Sequence, residues 1–443
     1  MKVFRLSMKE ESDSTDWLAL DRAHVWHPYT QMQTAEPPLA VVRGEGAWLE
    51  LADGRRLLDG ISSWWVTLHG HAHPRLVAAA AEQAARLEQV IFAGFAHEPA
   101  ARLAAELAAL APPGLERAFY SDDGSTAVEV AMKMAVQLWR HRGEPGRTLF
   151  VALEGAYHGD TFGAMAAGGS RLFHGAFADL LCEVRHLPVP VAGKSLDECA
   201  EAAERLLATE ERRIAALVVE PIVQGAGGMR IYPPEFLRWL RRATARRGIP
   251  LVADEVFTGF GRTGRMFACE HAGVAPDLLC LSKGLTGGLL PLGATLASEA
   301  VFADFLSDDR ARTFFHGHSY TANPIACAAA RASLALLAET AALARVAALE
   351  RLFAGRLRRL ASLPAVAATR GIGALAVVEL AAAGDGSGYL DPRGPRLQRA
   401  LLDRGIFLRP LGDVVYFLPP YCVTDAECHQ VFDALEQELA RVA

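Results

Sequence analysis

Lysine is scarce in this chain. Its 443 residues hold only Lys2, Lys9, Lys133, Lys194 and Lys283, and arginine fills nearly every other cationic position. Cysteine is also sparse: there are seven, an odd number, with no Cys-x-x-Cys pair, which suits a reducing compartment. No apolar run reaches the roughly 18 residues of a membrane-spanning helix, so no span is expected. There is no basic run and the formal net charge is −6, so a role on nucleic acid or at a membrane surface is unsupported. Met1 to Asp16 is charged and lacks an apolar signal core, so a cytoplasmic location is expected.

What is present is apolar residue, 51% of the chain, enough for large cores. The length predicts two domains. Residues 1–60 read as an N-terminal arm and part of a smaller domain, with strands at Leu39 to Val42 and Ala47 to Leu51. An Asp53-Gly54 hairpin turn follows. Residues 61–335 read as a large domain in which helical patterns alternate with apolar runs at 148–152, 215–219, 250–256, 278–281 and 292–296. That alternation predicts an α/β fold with a mainly parallel sheet covered by helices on both faces. Residues 336–443 read as a smaller α+β domain. It has a long helix over 335–362, strands near 373–380, 406–409 and 414–418, and a last helix near 424–441. Gly384 to Gly388 reads as a surface loop.

Lys283 follows the apolar run Leu278-Leu279-Cys280-Leu281-Ser282 and precedes Gly284 and the pair Gly287-Gly288. A lysine at the end of a buried strand has its pKa lowered and suits Schiff-base chemistry. The same position also suits a solvated loop lysine. Asp254 ends a second run, Pro250 to Val256. The ligand crevice of an open α/β sheet lies at the carboxyl ends of its strands, where Asp254 and Lys283 would meet. A lysine for an imine and an acid for a pyridinium nitrogen are what pyridoxal phosphate requires. Asp254 also suits a simple helix N-cap. Tyr120-Ser121-Asp122-Asp123-Gly124-Ser125-Thr126 precedes a helix from Ala127 to about Trp139, whose N-terminus is either an anion site or an ordinary cap. Tyr157-His158 lies on a Gly-flanked loop and could stack on a flat ring.

Two patterns point elsewhere. Gly259-Phe260-Gly261-Arg262-Thr263-Gly264 matches a dinucleotide fingerprint, but the segment after it does not open a helix in the required way. His69, His71 and His73 would share one face of a strand, as a metal site could require, but no further ligand set completes it. No metal is expected.

Taken together, Leu251 to Gly264 and Leu281-Ser282-Lys283-Gly284-Leu285 resemble the class III, fold type I pyridoxal-phosphate-dependent aminotransferases, from about residue 18 to the C-terminus. The resemblance implies pyridoxal 5′-phosphate on Lys283, with Asp254 at the ring nitrogen and Tyr157 and His158 at the ring. It implies that Gly124 and Ser125 bind the phosphate, although the family more often has serine where Asp123 stands. It implies a homodimer with shared active sites, in which Gly317, His318 and Ser319 reach the partner's cofactor.

Further likenesses are narrower. Trp26 to Met32 and Ser62-Ser63-Trp64-Trp65 resemble the substrate segments of one branch of the class. They imply that Tyr29, Trp64, Trp65, Asp160 and Gly317 bind substrate, and that Arg409 binds a carboxylate. In the ornithine and 4-aminobutyrate branches, a glutamate after Gln-Gly pairs with that arginine. Here Gln224-Gly225 is followed by Ala226, which leaves Arg409 available. The implied acceptor is 8-amino-7-oxononanoate. The implied donor is S-adenosylmethionine in preference to L-lysine, with another ω-amino substrate as the alternative.

Overall fold

The computed structural model describes residues 16–382 and 388–442. Four of the apolar runs form adjacent parallel strands: Leu278–Leu281, Leu251–Asp254, Ile214–Val219 and Leu149–Leu153. Val184–Leu187 extends them as a parallel edge. On the other side Gly293–Ser298 runs antiparallel to Leu278–Leu281 and to the edge strand Leu115–Ser121, closing a seven-stranded sheet. The four central strands are buried along their whole length. Their side chains alternate between two cores. Phe150, Val218, Val252 and Leu278 face one way, under Val128, Ala131, Ala135 and Leu138 of the helix Gly124–His141. Val151, Leu217, Ala253 and Leu279 face the other. Strands covered on both sides read as unbroken apolar runs, which is why these were legible.

The chain's two ends build smaller sheets together. Trp48–Leu51 and Arg56–Asp59 form the hairpin expected at Asp53-Gly54, with Gly54 at φ +83°. Ile406–Phe407 adds in parallel to Arg56–Asp59, pairing Phe407 with Asp59. This puts Arg409, two residues on, beside the segment that follows Asp59. Val366–Ile372, Leu375–Leu380 and Val414–Phe417 make a separate antiparallel sheet.

Some expectations fail in detail. The first strand runs Val41–Glu45 and not from Leu39. The long helix predicted over 335–362 is two helices, Pro324–Glu339 and Ala342–Leu360, bent by 66°. Ala341 breaks it with φ +49°, a conformation that alanine rarely adopts and that no glycine or proline announces. The helix expected from Ala127 starts earlier, at Gly124, because Asp123 and Thr126 form a reciprocal capping box. The loop expected at Gly384 to Gly388 falls outside the described residues except for Gly388, and so does most of the charged N-terminal segment. No single helix among the described residues is long and apolar enough to cross a membrane.

Candidate active site

Four consecutive strands deliver their carboxyl ends to one crevice. Lys283 lies just past Leu278–Leu281, Asp254 ends its strand, Glu220 follows Val219, and Tyr157, His158 and Asp160 lie on the loop after Leu153. With Gly124, Ser125 and Trp65 they line a cavity of about 380 Å³.

Asp254 is 4% exposed, and its Oδ2 accepts a 2.7 Å hydrogen bond from Nδ1 of the buried His158. Its Oδ1 accepts from the Val256 amide at 3.0 Å. Burial lowers the His158 pKa, but Asp254 and then Glu220 more than offset it, so the imidazole titrates above its ordinary value. Nε2 of His158 is buried without a partner. Burial also pushes the Lys283 amine below the ordinary lysine value, with Asp254 and Glu220 pulling it back up. Lys283 Nζ stands 5.1 Å from the centroid of the Trp65 ring. Its backbone is left-handed at φ +41°, the kind of strain that clusters at functional sites.

One end of the cavity is the N-terminus of the helix Gly124–His141, whose first amides have no intrahelical acceptor, as an anion site requires. A Cβ on Gly124 would come within 2.4 Å of Val256 Cγ1, and one on Gly159 within 2.2 Å of Ser125 Oγ. Both glycines are therefore required by packing around the loop. Ser125 Oγ also accepts from the Thr161 amide at 2.9 Å. An amine shifted toward neutrality, a buried carboxylate, a helix N-terminus and a ring-sized cavity between them fit pyridoxal phosphate.

Toward solvent, the Tyr29 and Tyr157 hydroxyls both donate to Asp160 Oδ2, at 2.6 and 3.0 Å. Burial is the main reason both phenols titrate high, Tyr29 at about 12. The Tyr29 and Trp64 rings meet edge-on at 5.7 Å. The Arg409 guanidinium carbon lies 4.5 Å from the Trp64 centroid and forms no ion pair with any described residue. Ala226 lines the neighbouring cavity and offers it no charge.

Gly317, His318 and Ser319 do not line the Lys283 cavity. His318 Nε2 is 3.9 Å from Asp122 Oδ1, and the Ser319 carbonyl accepts from the Gln89 side-chain Nε2 at 2.6 Å. The three histidines at 69–73 do not lie on a strand. His69 meets Ser333 Oγ, His71 meets Asp59 and His73 caps the helix Pro74–Arg86. The Gly259–Gly264 segment folds back as a loop. The Glu255 carboxylate holds its far side through the Ala268 and Cys269 amides, at 2.9 and 2.8 Å.

Glu220 is the residue that the sequence reading passed over. Its oxygens accept from the Tyr157 and Gly225 amides, at 3.1 and 2.9 Å, so it ties together two loops at the cavity. Burial, reinforced by Asp254, pushes its pKa up to about 7. The available signal was its position after a buried strand, the same position that drew attention to Asp254.

The class-III aminotransferase model matches residues 29–439, and the chain belongs to that family of pyridoxal-phosphate-dependent enzymes. It is 52% identical over 95% of its length, and 99% of the relative's, to adenosylmethionine-8-amino-7-oxononanoate aminotransferase of Synechococcus elongatus. The crystal structure of the enzyme of the same name from Methanocaldococcus jannaschii superposes with a TM-score of 0.92 at 36% identity, covering 97% of this chain and all of that one. An amine transaminase from an uncultivated Pseudomonas species, solved with pyridoxal phosphate bound, superposes at 0.89 with 34% identity over 95% of this chain and 99% of that one.

Proposed function

We propose that this chain transfers an amino group to 8-amino-7-oxononanoate, giving 7,8-diaminononanoate, the reaction of biotin biosynthesis, with S-adenosyl-L-methionine as donor. The observation that carries the reading is Arg409, without an ion pair among the described residues, stacked on Trp64, which meets Tyr29, whose hydroxyl bonds the cavity-lining Tyr157 and Asp160. A guanidinium without an ion pair among the described residues suits the acceptor's terminal carboxylate, and the aromatic walls suit its alkyl chain.

Pyridoxal phosphate, when bound, supplies the carbonyl that takes the amino group and a ring that accepts the electrons released as a C–H bond breaks. Asp254 holds positive charge at the ring nitrogen, and His158 fixes the orientation of the Asp254 carboxylate. Gly124 and Ser125 bind the phosphate. The Lys283 amine carries the cofactor at rest, and in the reaction it takes the proton from the substrate carbon bearing nitrogen. Burial favours its unprotonated form. Tyr157, its hydroxyl anchored on Asp160, would cover the ring face. The donor leaves with a carbonyl in place of its amine, and the acceptor then takes up that amine by the reverse sequence.

Two copies would share their sites, with Gly317, His318 and Ser319 meeting the partner's cofactor phosphate. Support comes from their place outside their own cavity and from the exposed Phe315 and Tyr320 beside them, 75% and 65% exposed. A second reading of the donor, L-lysine, is favoured by His316-Gly317-His318-Ser319, where enzymes using S-adenosylmethionine often have a proline and a threonine. Trp64 and Tyr29 favour the sulfonium donor, since a cation beside an aromatic face gains about 0.5–2 kcal/mol.

The test is to supply the loaded enzyme with 8-amino-7-oxononanoate and each donor in turn, following 7,8-diaminononanoate by mass spectrometry. Diamine formed with S-adenosylmethionine supports the proposal. Diamine formed with lysine alone overturns the donor, and no diamine with either overturns the acceptor.

A further inference from the structure

We propose that Asp59 and His71 form a latch that holds the strained Ile61–Trp65 turn and thereby positions both site tryptophans. The inference rests on the reading of Trp64 and Trp65 as site residues, and it adds two residues to which that reading gives no role.

The turn has an unusual backbone. Ser62, Ser63 and Trp65 all have positive φ, at +52°, +62° and +69°, and none is glycine. Ser63 at ψ −81° and Trp64 at φ −140°, ψ 58° break any regular helix. Such conformations cost free energy and persist only where the surroundings impose them. The strain has a clear product. Trp64 is turned to Arg409 and Tyr29, while Trp65 is turned inward to Lys283. The indole N–H of Trp65 donates to the Tyr416 hydroxyl at 2.9 Å, and its ring meets Phe257 at 4.8 Å.

Asp59 is fully buried and spends its acceptors on this turn. Oδ1 accepts from the Ile61 amide at 3.1 Å, and Oδ2 accepts from the Ser63 amide at 2.6 Å. Oδ2 also accepts from the Ser63 hydroxyl at 3.4 Å and from His71 Nε2 at 2.8 Å. His71 is itself fixed, since its amide and carbonyl both pair with Gly46, at 2.7 and 3.2 Å. A Cβ on Gly44 would come within 2.8 Å of His71 Cβ, so the backbone there packs directly on the histidine. The carboxylate is thus held from behind by an immobile donor and in turn holds the turn from below. Without the histidine the carboxylate would lose its one side-chain partner outside the turn and be held only by the turn it is meant to hold.

The test uses cofactor-free protein and three variants, His71→Ala, His71→Gln and Asp59→Asn. Deuterium uptake is read on peptides spanning 60–68 and, as a control, on the remote helix Pro234–Ala245. Near-ultraviolet circular dichroism reads the tryptophans. His71→Ala should speed exchange in the turn on the order of tenfold or more and weaken the tryptophan bands, with the control peptide unchanged. His71→Gln keeps an N–H donor and should restore most of both signals. Asp59→Asn should resemble His71→Ala; if it does not fold, the two His71 variants decide. Unchanged exchange and dichroism in a folded His71→Ala protein, or equal behaviour of the Gln and Ala variants, would overturn the latch. No substrate or cofactor is present, so the result is independent of the substrate assignment.

Discussion

Nδ1 of His158 and Oδ2 of Asp254 lie 2.7 Å apart, with both side chains almost entirely out of solvent. An ionised carboxylate can only accept, so against ionised Asp254 the imidazole proton sits on Nδ1. Most of the electrostatics of the site follows from this pair and from the two groups beside it, Glu220 and Lys283.

Replacing that charge should be costly. Asp254→Asn keeps the shape but removes the group that keeps the ring nitrogen protonated. A unit charge matched to the reacting system in a dry site contributes several kcal/mol, so turnover at saturating cofactor should fall on the order of a hundredfold or more. Steady-state kinetics checks this, and near-normal turnover in the variant would remove the assigned role.

Arg409 should discriminate by substrate chemistry. A guanidinium holds a carboxylate through two parallel hydrogen bonds that an ammonium cannot reproduce. Arg409→Lys should therefore lower kcat/KM for carboxylate-bearing substrates by about tenfold or more relative to simple amines. Equal losses on both would make Arg409 structural.

Glu220 should leave a signature in stability against pH. Its folded pKa, about 7, lies above its ordinary value of 4.5, so the folded state holds the proton more tightly across that window. Its contribution to stability is then complete at low pH and is lost as pH rises toward 7. Histidines with depressed pKa, such as His69 at about 4, tilt the curve the other way, so the informative quantity is a difference. Cofactor-free Glu220→Gln should gain on the wild type by on the order of 1 kcal/mol per pH unit between pH 5 and 7. Urea denaturation at several pH values measures it, and parallel curves would show that Glu220 does not titrate there.

The central strands were legible because helices cover both of their faces, which leaves only apolar side chains in the four buried parallel strands apart from Asp254 at the end of its own. Lys283 and Asp254 stood out because a charged residue directly after such a run must lie at the sheet's carboxyl edge. Other features depend on distant partners. Ala341 and the Ser62–Trp65 turn adopt left-handed backbone without glycine, which only tertiary packing can impose. The histidines at 69–73 read as a cluster by spacing, yet each is claimed by a different neighbour, Ser333, Asp59 or the helix at Pro74. Gly293–Ser298 reads like its parallel neighbours, and only the connection before it, residues 282–292 with no crossover α-helix, reverses its direction. Glu220 did not stand out, because its two amide partners, Tyr157 and Gly225, lie on separate loops that no local pattern joins.

The central claim is that the cavity between Lys283 and Asp254 is where the cofactor is held and used. The most direct measurement is borohydride reduction of the loaded enzyme followed by peptide mapping. The account predicts a phosphopyridoxyl group on Lys283 alone and none on a Lys283→Ala protein, which should also lack turnover. A label on Lys133 or Lys194 in the wild-type enzyme would contradict it.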